Sequence, residues 1–322
     1  MGNLAAIDCG TLSTRLLVSG PDGEPLLRLM RITGLGRGLD SVKALSPDAM
    51  GRVLKVLADY RGLMDQNDVQ RARMVGTSAL RDAGQDDRAS FCRAAEDIIG
   101  VPLELLSGDE EAALSFQGAT TELAAGDGPW FVADIGGGSS ELVVGPEPSG
   151  ACSLPLGCVR VTERFLHHDP PAKSELARAS TWLWGQCRQA AADVPALLQA
   201  RRLVGLAGTV SALACLDQGL VAYDRDAVHH YRLSRPAVDR RLQELANLPA
   251  TGRALRPGIE AARAPFVVGG ALVLATLMAW FGFEECLVSE SDILDGMTWA
   301  LRSATHDDAG PASPPRGASA AK

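Results

Sequence analysis

Two segments of the chain repeat each other without a gap, and this repeat constrains the fold more than any other feature. Residues 8–18 and 134–144 each begin with an aspartate, pass through a turn rich in Gly, Ser and Thr, and end in an apolar stretch. Each copy therefore predicts a β-hairpin, whose turn points several backbone N–H groups at one spot and lets an anion approach closely. We predict two related lobes that hold a phosphate-bearing ligand between them. Two unrelated glycine-rich hairpins are the alternative.

The aspartate of the first copy and the turns of both copies are the first candidates for contact with the ligand. The arginine that follows the first turn is a weaker candidate, because a guanidinium can bind two phosphate oxygens at once. The predicted ligand-binding residues of the two hairpins are Asp8, Gly10, Thr11, Ser13, Arg15, Gly136, Gly137, Gly138 and Ser139.

Composition narrows the class of protein. The 322 residues suffice for two domains with a core each, and the net charge of −8 argues against a general nucleic-acid surface. Seven scattered cysteines without a CxxC pair predict reduced thiols in a cytoplasmic protein.

The adjacent His229 and His230 are expected to face different ways and to form no metal site. No leader is expected, and the uncharged residues 264–283 predict a buried core helix rather than a membrane span.

Strands alternate with helices along the chain, which predicts α/β lobes whose sheets are flanked by helices. The turn at residues 126–129 separates the two copies of the pattern. We predict an N-terminal lobe at residues 1–124, a second lobe at 125–302, and a disordered tail at 303–322, where Ala, Pro, Gly and Ser are abundant.

Two pairs of acids are candidates for chemistry. Asp134 and Glu141 lie on either side of the second turn, where they can share one Mg²⁺, although Asp134 is also suited to capping the turn. Glu110 and Glu111 follow Ser107, and this pattern predicts a helix start with a capping box. First-turn glutamates commonly stabilise the helix dipole, and the alternative is a general base that activates water for attack on phosphorus.

Two arginines and one helix start are further candidates for phosphate contact. Arg81 follows a strand end and Arg263 precedes the apolar helix, so each is interpreted either as a phosphate clamp or as a solvated surface charge. Gly208 and Thr209 follow a strand and open a helix, where N–H groups can receive a phosphate or where the residues only cap the helix.

Six motifs occur in order at residues 5–10, 77–83, 107–112, 134–139, 205–210 and 288–296. In these motifs the chain, from residue 4 to residue 302, resembles the exopolyphosphatase/guanosine pentaphosphate phosphohydrolase (Ppx/GppA) family. The resemblance implies an actin-like, sugar-kinase-like (ribonuclease H-like) duplicated two-domain α/β fold with a central cleft. It also implies Mg²⁺-dependent hydrolysis of a terminal phosphoanhydride, and leaves open whether a monovalent cation assists.

The resemblance assigns roles to residues by motif. It implies a general base at Glu111, metal-associated acids at Asp134 and Glu141, and phosphate-contacting arginines at Arg81 and Arg263. The implied partners are inorganic polyphosphate or guanosine nucleotide alarmones, with no nucleic acid and no membrane. An exopolyphosphatase is the first interpretation. A guanosine pentaphosphate phosphohydrolase, a weakly active or non-catalytic alarmone-binding protein, and a sugar or acid kinase are the alternatives.

Three positions depart from the family pattern. Leu12 replaces the usual Asn of the first turn, Ala113 replaces an Arg after the two glutamates, and Pro265 replaces an expected Asp. The change at Leu12 removes a polar contact from the cleft, and the change at Ala113 removes a positive charge near the base. The family pattern therefore does not fix the substrate preference or the turnover rate of this chain. A homodimer is the default expectation for the oligomeric state.

Overall fold

Each of the two repeated segments forms the central hairpin of its own sheet in the computed structural model, which describes residues 2–147 and 149–307. The first sheet contains β1 (Asn3–Cys9), β2 (Ser13–Ser19), β3 (Pro25–Ile32), β4 (Val69–Gly76) and β5 (Leu103–Leu105). Its strand order is β3-β2-β1-β4-β5. The first three strands are antiparallel, and β4 and β5 continue parallel to β1.

The second sheet repeats this arrangement and adds one edge strand. Its strands are β6 (Trp130–Ile135), β7 (Ser140–Gly145), β8 (Gly150–Leu154), β9 (Arg202–Leu206), β10 (Arg232–Ser234) and β11 (Glu285–Val288). The order β8-β7-β6-β9-β11 has the directions of the first sheet, and β10 pairs antiparallel with β11. The duplicated, actin-like two-domain fold predicted above is therefore confirmed.

The two hairpins also share their register. Asp8 of β1 lies opposite Arg15 of β2, and Asp134 of β6 lies opposite Glu141 of β7. Equivalent positions thus carry an aspartate in both lobes, whereas the facing position carries an arginine in one lobe and a glutamate in the other.

Helices bury both faces of each sheet. The first core packs large side chains such as Tyr60 and Phe91 against β1, β2 and β4, and the second core centres on the apolar helix after Arg263. The helices are α1 (Leu39–Val42), α2 (Pro47–Gln66), α3 (Ser78–Asp82), α4 (Gln85–Ile99), α5 (Gly108–Thr120), α6 (Cys158–Phe165), α7 (Lys173–Asp193), α8 (Gly208–Gln218), α9 (Arg225–Val228), α10 (Arg235–Ala246), α11 (Ala250–Arg253), α12 (Val267–Phe281) and α13 (Ile293–Asp307), with short 3₁₀ turns at Ala125–Asp127 and Pro195–Gln199.

Two helices cross between the lobes. Helix α5 precedes the second lobe in sequence but buries Ala112 and Ala119 against the second sheet, whereas α13 at the end of the chain buries Met297 against the first. The two helices meet at glycines: a Cβ on Gly118 would lie 1.9 Å from the carbonyl oxygen of Asp292. The predicted boundary at residue 124 therefore does not divide the packing units, because each sheet is completed by a helix from the other part of the sequence.

Several predicted elements agree with the observed ones. Ser46 and Pro47 predict a helix from residue 47 to about 66, and the turn at residues 21–23 predicts a strand at residues 25–32; these are observed as α2 (Pro47–Gln66) and β3 (Pro25–Ile32). Helix α6 was not predicted. Helix α13 continues to Asp307, so residues 303–307 are helical and the prediction of a disordered tail was wrong for them; residues 308–322 lie outside the described part of the chain.

The apolar segment at residues 264–283 forms α12, which is buried along most of its length as predicted. Among residues 2–147 and 149–307, no helix has both the length and the apolar character needed to cross a membrane.

Candidate active site

The turns of the two repeated hairpins meet at the bottom of the cleft. A Cβ on Gly137 would lie 2.9 Å from the amide nitrogen of Leu12, and one on Gly138 would lie 2.6 Å from Oγ1 of Thr11. Only glycine allows these turns to approach so closely. The turns enclose a small cavity, which places the predicted ligand-binding residues of both lobes around one space.

Most of the predicted residues line this cavity. They include both aspartates, both turns, the first-lobe arginine, the proposed base and the helix-start glycine with its neighbouring arginine. The predicted residues that line it are Asp8, Gly10, Thr11, Ser13, Arg15, Glu111, Asp134, Gly136, Gly137, Gly138, Ser139, Gly208 and Arg263.

The two aspartates differ in their partners. Oδ2 of Asp8 accepts hydrogen bonds of 2.7 and 2.9 Å from Arg15, whereas its Oδ1 is buried without a hydrogen-bond partner among the described residues. Oδ2 of Asp134 accepts a hydrogen bond of 2.8 Å from Ser115 of α5. Burial raises the pKa of both carboxyl groups, and the nearby Arg15 opposes this rise. The cavity therefore holds buried acids that a cation or a bound proton would stabilise.

The start of α5 separates a capping glutamate from a cavity-facing one. Ser107 and Glu110 form a reciprocal capping box, and Glu110 is exposed. Glu111 is buried and lines the cavity. Burial raises the pKa of Glu111 to about 7, although Arg81 lowers it. A carboxylate with such a pKa can exchange a proton near neutral pH, which a general base requires.

Arg81 contacts the proposed base instead of lining the cavity. Its Nη1 donates hydrogen bonds to Oε2 of Glu111 at 2.6 Å and to the carbonyl of Leu106 at 3.0 Å. Its Nη2 lies 3.9 Å from Oε1 of Glu141. In this geometry the guanidinium orients and partly neutralises the acids of the cavity wall, and direct phosphate contact by Arg81 stays a prediction.

Glu141 lies behind the cavity wall. Its Oε1 accepts a hydrogen bond of 2.8 Å from Ser153, and the side chain is not among the described residues that line the cavity. Burial and the nearby carboxylate of Glu111 both raise its pKa. Its role as a metal ligand likewise stays a prediction.

Arg263 and Gly208 form the second-lobe side of the cavity. The guanidinium of Arg263 packs so closely on Gly208 that a Cβ there would lie 2.3 Å from its Cζ. Its Nη2 lies 3.6 Å from the carboxylate of Glu260 and 3.2 Å from the sulfur of Met30. This buried cation is weakly paired and available to an anion. Thr209 packs against Gly270 of α12 instead and does not line the cavity within the described chain.

Sequence reasoning missed several residues of the cavity wall. Ser78 lies in the same motif as Arg81 and follows a strand end, so its motif was a usable signal. Asp292, in the last of the six motifs, lies beside the cavity and not in its wall; it accepts a hydrogen bond of 2.6 Å from Arg15, yet no role was predicted for it. Cys158 and Met30 also line the cavity, and nothing in their local sequence marks them.

A second contact joins the lobes beside the cavity. Arg160 of α6 donates a hydrogen bond of 2.9 Å to the carbonyl of Gly138 and forms ion pairs with Asp40 and Asp82 of the first lobe. Because these ion pairs bridge the two lobes, they hold the two turns together in this conformation.

The expectation that the adjacent histidines face different ways was wrong. His230 has a left-handed backbone (φ 61°), which stacks its ring on that of His229 with centroids 3.8 Å apart, and Glu122 lies beside them. The Nδ1 atom of His229 accepts a hydrogen bond from the backbone N–H of Glu290, so its Nε2 carries the proton that Glu122 accepts. The hydrogen bond from the backbone N–H of Glu290 to His229 connects this cluster to the loop that carries Glu290.

Comparison with known proteins gives consistent matches. A family model described as the Ppx/GppA phosphatase family matches residues 19–301. Exopolyphosphatase 2 of Mycobacterium tuberculosis is 38% identical over 315 residues, which cover 92% of this chain and 98% of that protein. The guanosine-5'-triphosphate,3'-diphosphate pyrophosphatase of Vibrio vulnificus is 30% identical over 317 residues, which cover 94% of this chain and 60% of that protein.

Solved structures agree with these matches. An exopolyphosphatase-like protein is 31% identical with a TM-score of 0.88, and the match covers 94% of this chain and 99% of that one. The Ppx/GppA family member of Aquifex aeolicus is 26% identical with a TM-score of 0.76, and the match covers 96% and 99% of the two chains.

Proposed function

The chain belongs to the Ppx/GppA phosphatase family, and on that premise we propose that it is an exopolyphosphatase that releases terminal orthophosphate from inorganic polyphosphate. The observation that carries the proposal is the position of Glu111, a buried carboxylate that faces the same cavity as the turns of the two repeated hairpins. The 38% identity with an enzyme named exopolyphosphatase 2 supports the choice of substrate.

The proposed reaction is an attack of water on the terminal phosphorus. Backbone N–H groups of the two turns, together with Arg263, hold the terminal phosphoryl group in the cavity. Glu111 accepts a proton from water as the new P–O bond forms and the anhydride P–O bond breaks. Orthophosphate leaves, the remaining chain is shorter by one unit, and Glu111 then returns its proton to solvent. Positioning and electrostatics supply most of the catalysis in such reactions.

Magnesium fits the acids of the cavity. The buried Oδ1 of Asp8 has no hydrogen-bond partner among the described residues, and Asp134 lines the same space. Carboxylate oxygens are the protein ligands that Mg²⁺ prefers, so we propose Asp134 and Asp8 as its ligands, with Glu141 as a supporting acid behind them. When bound there, the ion would neutralise negative charge on the phosphoryl group.

Hydrolysis of guanosine pentaphosphate is the second candidate function. It is supported by the 30% identity with the Vibrio vulnificus enzyme, of which this chain spans 60%. The same cavity residues would act on the terminal phosphate of the nucleotide. The departure at Leu12 places an apolar side chain in the cavity wall, which makes the choice between the two substrates a property to be measured.

One experiment separates the candidates. Purified protein with Mg²⁺ is incubated separately with long polyphosphate, short polyphosphate, guanosine pentaphosphate and ATP, and released phosphate is measured. We expect the highest kcat/KM with polyphosphate. A higher value with guanosine pentaphosphate would favour the second candidate, whereas tight nucleotide binding without turnover would overturn both in favour of a sensor. ATP consumption only in the presence of a sugar would indicate a kinase.

A further inference from the structure

Three side chains that can ligate a metal ion meet outside the catalytic cavity. One ring nitrogen each from His229 and His230 and a carboxylate oxygen of Glu122 lie within 4.8 Å of one another. None of these three residues is among the described residues that line the cavity. The expectation of no metal site depended on the two rings facing different ways, and the stacked rings remove that reason. The three groups form one potential ligand set, the histidine–glutamate cluster.

The backbone holds both histidines of the cluster in place. The N–H of His229 donates to the carbonyl of Arg225 at 2.8 Å, and the N–H of His230 donates to that of Val288 in β11 at 2.7 Å. His230 has φ 61°, a left-handed conformation that is uncommon for a residue other than glycine, and its ring stacks on that of His229. Because the two rings are positioned in advance, an ion that binds them has little ordering to impose.

The cluster has an atom without a partner and a side that is open to solvent. Nε2 of His230 is buried and has no hydrogen-bond partner among the described residues. A buried polar atom of this kind requires a partner, which an ion or a water can supply. The side chain of Glu122 is 56% exposed. An ion can therefore enter the cluster from solvent and keep a water molecule as a further ligand.

The protonation states of the cluster suit metal binding near neutral pH, because metal ligands must be deprotonated. Burial lowers the pKa of His230, which favours the neutral ring. The hydrogen bond from His229 lowers the pKa of Glu122, so its carboxylate is ionised. The positive charge of Arg225 lowers both pKa values further and also opposes a bound cation, and the Glu122 carboxylate offsets this charge.

The ligand types distinguish this cluster from the acids of the catalytic cavity. Zn²⁺ binds imidazole nitrogens and carboxylate oxygens in tetrahedral sites, whereas Mg²⁺ prefers oxygen ligands. Ligand atoms of a tetrahedral zinc site lie about 3.3 Å apart. The 3.0 Å between Nε2 of His229 and Oε2 of Glu122 is close to this spacing. Since all three ligand atoms lie within 4.8 Å, the nitrogen of His230 has to approach by no more than about 1.5 Å.

We propose that His229, His230 and Glu122 bind Zn²⁺, with water as the fourth ligand. When Nε2 of His229 coordinates the ion, the ring loses its proton at Nε2 and gains one at Nδ1, so it stays neutral. Nδ1 then can no longer accept the hydrogen bond of 3.0 Å from the backbone N–H of Glu290. Binding of Zn²⁺ therefore displaces the loop that carries Glu290, which continues to Asp292 beside the catalytic cavity.

Calorimetric titration of the full chain with Zn²⁺, in the presence of excess Mg²⁺, tests the site. We expect one Zn²⁺ per chain. His230→Gln and Glu122→Gln should each weaken its binding by at least about tenfold, since loss of even an outer partner of a metal site costs that much. Glu122 is exposed, so Glu122→Gln keeps the test valid if His230→Gln does not fold. His168→Gln is the matched control, because His168 pairs with Glu175 at 2.8 Å outside the cluster and its loss should leave the affinity unchanged.

Two further measurements identify the ligands. Nitrogen NMR should show His229 changing from the Nε2–H to the Nδ1–H tautomer when Zn²⁺ is added, and Asp134→Asn should retain Zn²⁺ binding. Loss of binding in Asp134→Asn but not in His230→Gln would place the ion in the catalytic cavity and overturn the site. Absence of binding to the unaltered protein, unchanged affinity in both cluster variants, or binding without a tautomer change would also overturn it. None of these results depends on hydrolysis of polyphosphate.

Discussion

The carboxylate of Glu111 and the guanidinium of Arg81 share a hydrogen bond of 2.6 Å beside the cavity. Burial raises the pKa of Glu111 to about 7, and Arg81 is the first of the contacts that oppose this rise. The pair therefore sets the fraction of Glu111 that is ionised near neutral pH, and with it the fraction of molecules that can accept a proton from water.

Replacing Glu111 with Gln should lower kcat by about 10²-fold or more, because an amide cannot accept the proton of the attacking water. Phosphate release from polyphosphate measures the change. Glu110→Gln is the control, since Gln can serve in a capping box and this side chain is exposed. An unchanged rate in Glu111→Gln, or an equal loss in both variants, would remove Glu111 from the mechanism.

The value of kcat/KM should rise with pH through about 7. Below that pH Glu111 binds a proton and cannot act as a base, and above it the carboxylate is ionised and active. A series of initial rates at constant Mg²⁺ and ionic strength, spanning that pH on both sides, gives the profile. A profile that stays flat there would contradict the assignment.

Replacing Arg81 with Met should move this acid limb to higher pH. Arg81 stabilises the ionised form of Glu111, so its loss leaves burial unopposed and raises the pKa of the base. Arg73→Met is the control, because Arg73 pairs with the exposed Glu104 away from the cavity. If the limb stays in place when Arg81 is lost, the pair does not control ionisation of the base.

Asp8→Asn and Asp134→Asn should each weaken Mg²⁺ binding, by roughly tenfold or more if both carboxylates contact the ion or its waters. Calorimetric titration with Mg²⁺ in the absence of substrate measures this directly. Glu141→Gln should have a smaller effect, because its carboxylate lies behind the cavity and accepts a hydrogen bond from Ser153. The opposite order of effects would place the metal against Glu141, as its motif implies.

Gly296→Ala should destabilise the fold by about 1–3 kcal/mol, the usual range for overpacking. A Cβ at this position would lie 2.1 Å from the carbonyl oxygen of Leu114, so α5 and α13 would have to separate. Gly185→Ala is the control, because nothing lies within 4 Å of a Cβ there and alanine favours the helix interior of α7. Urea unfolding of both variants gives the comparison, and equal stability of the two would show that the helices can adjust at little cost.

Local signals predicted most of the secondary structure. Ser46 and Pro47 mark the start of α2, and Ser107 with Glu110 marks that of α5, because caps and first-turn prolines act within a few residues. Helix α6 had no comparable sequence signal, since a glycine, Gly157, precedes it and no proline opens it, and it was missed. Oligomeric state and assistance by a monovalent cation stay predictions.

The sequence by itself determined that the chain contains two equivalent hairpins, because a repeated aspartate and small-residue turn specify strand direction through short-range contacts alone, and it predicted an anion site at their turns. It also singled out Glu111, Asp134 and Arg263 for that site. Only the tertiary structure decided that Arg81 contacts Glu111 and that Glu141 lies behind the wall of the cavity. It also decided that α5 packs against the second sheet and α13 against the first. Those relationships join residues far apart in the chain, and they depend on how buried helix and sheet faces pack rather than on any local pattern.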